Sequence, residues 1–234
     1  EITCRDWSSD VCSSDLDTPE ATEFKRLYNK LQFAHNHLGM KIFMVTSATV
    51  GEGKSTVAAF LAAARARNNA TDIRLVDCDL RRPMMHKLYD LPLEDGVVDV
   101  IAHEKDIRTV LKASAIPNLK VITAGVARQS PAMLLSSARL HEMFEQLRFH
   151  FGIVLIDAPP MIPVSDSQLL SNEAEGIVFV FKAGETPRRV VQRAAELLDQ
   201  NRKKLVGAVI NNMKGAMPYY YDYRYYKYKY DAKV

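Results

Sequence analysis

Residues 47–56 read SATVGEGKST, with two glycines ahead of a lysine and a serine. The run approximates G-x-x-x-x-G-K-[ST]: Ala48 stands at the first position, and Gly53, Lys54 and Ser55 fill the rest. Small residues let backbone N–H groups curl around an anion. A helix starting at once behind them points the positive end of its dipole at the same place. This chemistry suits nucleotide phosphates. Lys54 is expected to bridge the β- and γ-phosphates of ATP, Ser55 to bind Mg²⁺, and Thr56 to donate to the α-phosphate. Val50, Gly51, Glu52, Gly53, Lys54, Ser55 and Thr56 thus form the expected nucleotide-binding run.

Two apolar runs end in acids. VDCDLRRP carries Asp77 and Asp79, and VLIDAPP carries Asp157. An apolar strand ending in Asp beside a phosphate loop is the usual holder of Mg²⁺, so Asp157 is expected in that role. Asp77 and Asp79 are expected to serve the same site from opposite sides of their strand. Cys78 between them reads as a small buried apolar residue. Arg81 and Arg82 are candidates for a clamp on phosphate or on a neighbouring subunit, or else form a solvated, positive helix start. His86 and His103 lie apart from any metal-ligand spacing and read as structural or surface residues.

Placing these groups requires strands that end together. Runs rich in Val and Ile recur at 41–47, 73–78, 119–125, 152–158, 176–182 and 205–211. Helical patterns fall between them, near 21–37, 54–68, 137–148, 164–172 and 187–201. Continuously apolar strands alternating with helices predict an α/β fold, a mostly parallel central sheet with helices on both faces. Ligands of such sheets bind outside the carboxyl ends of the strands, where Lys54, Asp77 and Asp157 are expected. Ser130-Pro131 and Thr186-Pro187 each predict a helix start, with a capping hydroxyl before a proline in the first turn.

The chain has 234 residues, 47% hydrophobic and 25% charged, with a formal net charge of +3. That composition excludes a disordered chain, a collagen-like repeat and a coiled coil. The longest unbroken apolar run, 57–64, is eight residues, against roughly 20 for a membrane span. The charge is too small to argue for nucleic acid. Residues 5–16, RDWSSDVCSSDL, back-translate into a string resembling the end of a widely used sequencing adapter, so 1–16 are expected to be an assembly scar. Without them the remaining 218 residues carry +6 and Cys78 alone, which suits a reducing cytoplasm. At the other end, 219–230 read YYYDYRYYKYKY, holding eight of the ten tyrosines, and 214–234 carry +3. With no alternation to bury one face, 217–234 are expected to form an exposed, mobile tail, and 17–216 the folded domain.

The motif set and the tyrosine-rich end together resemble the bacterial tyrosine kinases (BY-kinases) of capsule and exopolysaccharide synthesis, over about residues 20–230. SATVGEGKST resembles the family's Walker A, LVDCDLRRP its Walker A′ and IVLIDAPP its Walker B; PNLKVITAG matches its layout as well. The resemblance implies a P-loop NTPase fold and an ATP- and Mg²⁺-dependent protein-tyrosine kinase. It implies catalytic roles for Lys54, Asp77, Asp79 and Asp157, with Asp77 as the base toward the tyrosine hydroxyl. Ser55, Asp79 and Asp157 would hold the metal, and Asn211 would contact adenine. Tyr219, Tyr220, Tyr221, Tyr223, Tyr225, Tyr226, Tyr228 and Tyr230 would be phosphorylated in trans, the tail of one copy entering the active site of the next in a ring-like homo-oligomer. The other implied partners are a membrane polysaccharide co-polymerase segment or protein and a tyrosine phosphatase, with no nucleic acid. The implied place is the cytoplasmic face of the plasma membrane, reached through an upstream segment absent from this sequence or through a partner.

Two departures from the family pattern stand out. Val50 replaces the usual proline. The helical segment TEFKRLYNKLQFA fits the family's ring-contact pattern E-x-x-R-x-x-R at Glu23 and Arg26 but has Asn29 in place of the last arginine. Partition and division ATPases share the core, but they carry a second lysine early in the phosphate loop, where this chain has Ala48, Thr49 and Val50. A nucleotide-gated scaffold with an adhesive tail is the reading from another class. A scaffold has no use for eight hydroxyls of one type.

Overall fold

The computed structural model describes residues 19–67, 73–198 and 204–212. The tyrosine cluster and residues 1–16 lie outside them, as do the limits set for the folded domain. Helix α1 (Pro19–Leu38) leads into β1 (Ile42–Ser47), the phosphate loop and α2 (Lys54–Arg67). Then come β2 (Ile73–Asp77), α3 (Met85–Leu88), α4 (Val97–His103), β3 (Lys112–Ala113) and β4 (Leu119–Ile122). The chain continues through α5 (Pro131–Leu135), α6 (Ala138–His150), β5 (Ile153–Asp157), α7 (Asp166–Glu173), β6 (Gly176–Lys182), α8 (Arg188–Leu197) and β7 (Leu205–Asn211).

The seven strands form one sheet in the order β3-β4-β2-β5-β1-β6-β7. Every pairing is parallel except the short β3, which runs antiparallel to β4. Strands β1, β2 and β5 are buried along their whole length, as strands covered on both faces must be. One apolar core joins the sheet to α4 through α8, and a second joins it to α1, α2 and α3. Each fully buried Leu, Ile or Phe in these layers is worth about 1.5–3 kcal/mol over exposure. Helix α2 buries Val57, Ala58, Ala59, Leu61, Ala62, Ala63 and Ala66. Its small side chains let it lie close against the sheet, which fixes where its N-terminus points.

The structure adds elements that the strand and helix patterns did not show. VVDVIAH forms α4, although its β-branched run favours a strand by local propensity. Gly96 starts this helix where an added Cβ would clash with the Thr123 carbonyl oxygen, and the Asp99 carboxylate accepts the Gly96 N–H at 2.8 Å. The two expected caps differ from their expectation. Pro131 does open α5, but the Ser130 hydroxyl makes no capping bond. Pro187 precedes the first turn of α8, and Val190 and Val191 donate to its carbonyl. Thr186 is therefore one residue too early to cap, and its hydroxyl is bound elsewhere.

Candidate active site

The sheet register brings the acids together. Asp77 pairs with Asp157 across β2 and β5, and Val45 pairs with Asp157 across β1 and β5. Three adjacent strands thus end at one level, and the chain leaving β1 is the phosphate loop. Gly51 and Gly53 both take positive φ, +85° and +91°, a region closed to most side chains. A Cβ on Gly53 would also clash with Asn211 Nδ2 at the end of β7.

Lys54 opens α2 and turns its ammonium onto the acids. Nζ lies 2.7 Å from Asp79 Oδ2 and 3.6 Å from Asp157 Oδ1, and it donates to Ser55 Oγ at 3.0 Å. Burial opposes its charge, but Asp157 and Asp79 outweigh that and raise its pKa. Asp157 is fully buried, and neither carboxylate oxygen accepts a hydrogen bond of normal geometry, although the Ser55 hydroxyl faces them. Its pKa is raised, chiefly by burial and against the pull of Lys54.

Asp77 is also buried, but its oxygens are occupied. Oδ2 accepts the N–H groups of Met84 and Met85 at 2.9 Å each, and Oδ1 accepts the Asp79 N–H at 3.2 Å. Burial, reinforced by Asp157, still raises its pKa. Asp79 meets Lys54 and accepts the Arg82 N–H at 3.0 Å. The two acids do face different partners, but not by strand alternation, because residues two apart share a face of a strand. The chain leaves β2 after Asp77, and the turn separates them.

Arg81 Nε and Nη2 bind both oxygens of buried Asp166, at 2.7 and 3.1 Å, tying the turn after β2 to the start of α7. No sequence signal announced that pair. Cys78 is buried, as expected. On α1, Glu23 and Arg26 pair with each other at 2.6 Å. Asn211 Nδ2 donates to the Glu52 carbonyl at 3.0 Å and Oδ1 accepts the Asn212 N–H at 2.8 Å. One amide hydrogen and one lone pair remain for a base. Val50 and Gly51 are exposed at the loop's tip, and the first turn of α2 carries Ser55 and Thr56 behind Lys54.

Three buried acids lie around one lysine, which contacts two of them, so with all three ionised the site carries excess negative charge that a cation would relieve. Among the described residues no group of three or more His, Cys, Asp or Glu side chains could close around a metal alone. The donors fit a divalent metal that arrives with phosphate oxygens and keeps water, using one or two carboxylates and a hydroxyl.

The sequence profile described as ParA, NUBPL iron-transfer P-loop NTPase, matches residues 40–229. The tyrosine-protein kinase YwqD of Bacillus subtilis is 34% identical over 204 residues, 87% of this chain and 85% of that protein. The chain belongs to the bacterial tyrosine-protein kinases. As a BY-kinase domain built on the ParA-type P-loop NTPase fold, it binds nucleotide with a divalent metal. The chimerical protein CapA2B2 superimposes with a TM-score of 0.79 at 28% identity, covering 87% of this chain and 89% of that one. The kinase domain of Escherichia coli ETK gives 0.75 at 28% identity, over 80% of this chain and 73% of that one. No helix among the described residues is long and apolar enough to cross a membrane.

Asp166 carried no signal in the sequence, Thr186 was expected only as a helix cap, and Glu52 only as a member of the phosphate loop. An acid inside an anion-binding loop was itself the signal, since its side chain has to turn away from the anion.

Proposed function

We propose that this BY-kinase domain transfers the γ-phosphoryl of Mg²⁺–ATP to the tyrosines of its own C-terminal cluster, from one copy to another, and thereby regulates capsule or exopolysaccharide polymerisation and export. The observation that carries the reading is the approach of Lys54 to Asp79 and to Asp157, a buried carboxylate without a hydrogen bond of normal geometry. The eight clustered tyrosines supply an acceptor.

In this reading Lys54 lies along the transferring phosphoryl group and neutralises its charge. Asp79 holds the Lys54 ammonium in place. Ser55 and Asp157, with Asp79, are the proposed holders of Mg²⁺, which when bound supplies further charge neutralisation on the phosphate oxygens. The phenolic oxygen forms the new P–O bond, the bond to the β-phosphate oxygen breaks, and ADP leaves with that electron pair. The phenolic proton goes to Asp77, a role that follows from the family resemblance and from its place beside Asp157. Asn211 borders the proposed adenine site. The proposed partners are a second copy, a membrane polysaccharide co-polymerase segment and a tyrosine phosphatase, at the cytoplasmic face of the membrane.

The test is incubation of purified protein with γ-³²P-ATP and Mg²⁺, followed by peptide mapping. Label on tyrosines 219–230, lost in Lys54→Met, is expected. ATP hydrolysis without labelled tyrosine would favour a nucleotide-gated scaffold.

A further inference from the structure

Glu52 is a carboxylate inside the loop meant to receive a polyphosphate, a place where negative charge opposes binding. Its side chain is 3% exposed. Both oxygens are engaged. Oε2 accepts the Thr49 N–H at 2.6 Å, closing the loop on itself. Oε1 accepts the Thr186 hydroxyl, which itself accepts the Lys182 N–H at 3.1 Å. The Glu52 carbonyl takes the Asn211 amide at 3.0 Å. One residue thus ties the phosphate loop to the turn after β6 and to the end of β7, neighbours 134 and 159 positions away in sequence. Positive φ at Gly51 and Gly53, on either side, permits the reversal that sends this side chain inward.

We propose that Glu52 is a positioning residue of the nucleotide site: its carboxylate sets the shape of the phosphate loop and locks it to the β6–α8 turn through Thr186, without touching nucleotide. The proposal rests on the phosphate-loop reading above and gives the Glu52 side chain a role separate from the loop's backbone. Its chemistry requires an acceptor toward Thr49 and a hydrogen-bonding partner toward Thr186 rather than a charge. A glutamine keeps an acceptor for Thr49 and a polar partner for Thr186, and it removes the charge that opposes phosphate. An alanine keeps neither contact. Thr186→Val breaks the far link, together with the Lys182 N–H bond to the same hydroxyl, and leaves the Thr49 contact in place.

The test measures binding of Mg²⁺–ADP by calorimetry, so it does not depend on tyrosine transfer, and a failure of the kinase reading would leave it intact. Glu52→Ala is expected to weaken binding at least tenfold and Thr186→Val about threefold to fivefold. Glu52→Gln is expected to bind as the parent does or more tightly. With Glu52 already alanine, Thr186→Val should add nothing. Parent-like affinity in both Glu52→Ala and Thr186→Val would overturn the proposal. Equal weakening in Glu52→Gln and Glu52→Ala would also overturn it, because charge rather than shape would then matter. Should Glu52→Ala fail to fold, Thr186→Val and Glu52→Gln decide the matter by the same affinities.

Discussion

Glu52 and Asp157 are both buried acids beside the phosphate loop, and they are built in opposite ways. On the β6–β7 side, each Glu52 oxygen accepts a hydrogen bond from the protein. On the β2–β5 side, the Asp157 oxygens accept none of normal geometry and are balanced by a lysine 3.6 Å away and the Ser55 hydroxyl that faces them. A buried charge without partners costs free energy, so natural chains keep one where a ligand completes it. The satisfied acid belongs to the frame and the unsatisfied one to the ligand. Asp77 sits between the two cases: an acid at the ligand's edge whose oxygens hold backbone N–H groups.

The largest effect is expected at Lys54, where the two sides of the site meet. Lys54→Met should lower tyrosine transfer at least about 100-fold. It also leaves Asp79 and Asp157 without their cation, so the nucleotide-free protein should lose roughly 3 kcal/mol in urea unfolding. Retained transfer would remove the lysine from the mechanism. Unchanged stability would show that the buried acids do not depend on it.

Asp157→Asn sharpens the contrast directly. Affinity for the metal–nucleotide complex should fall about tenfold or more, yet the nucleotide-free protein should be at least as stable as the parent, because an unsatisfied charge is gone. Glu52→Ala should do the reverse to stability, lowering it by about 1–3 kcal/mol. Calorimetric melting of the two variants side by side checks this, and a loss in both would erase the distinction.

Asp77 separates holding from chemistry. Asp77→Ala abandons the Met84 and Met85 N–H groups and should cost about 2 kcal/mol. Asp77→Asn keeps an acceptor, so nucleotide affinity should stay near the parent's while transfer to tyrosine falls. An equal loss of affinity in Asp77→Asn and Asp157→Asn would assign both acids to the metal.

The strands and the phosphate site were legible because they rest on local patterns. β-Branched runs mark β1, β2, β5 and β6, and the glycines, lysine and terminal acids sit at fixed spacing along them. What was not legible depends on partners far away in sequence. VVDVIAH forms helix α4, whose Val97, Val98, Val100 and Ile101 pack in one core with Leu140, Met143, Phe144 and Leu147 of α6, about 40 positions on. The Thr186 hydroxyl does not cap α8, whose capping position is Pro187, and donates instead to Glu52, 134 positions earlier. Arg81 is half solvated by its type and yet fixed by Asp166, 85 positions away.

That last pair gives a smaller prediction. Arg81→Ala should cost about 2 kcal/mol, with nucleotide affinity unchanged, since the guanidinium is spent on Asp166. A large loss of affinity with little change in stability would restore the phosphate-clamp reading. The smallest effects are expected in the tyrosine cluster. Any single Tyr→Phe between Tyr219 and Tyr230 should leave total labelling nearly unchanged, because seven other hydroxyls remain. Replacing all eight should abolish most of it.

The most direct test of the account mixes two defective proteins: one with Lys54→Met and its eight tyrosines intact, the other with an intact site and all eight tyrosines changed to Phe. Neither should label itself with γ-³²P-ATP. Together they should place phosphotyrosine on the Lys54→Met chain, in proportion to the concentration of the other. No label on that chain at any ratio, while the parent protein labels itself, would contradict transfer between copies through this site.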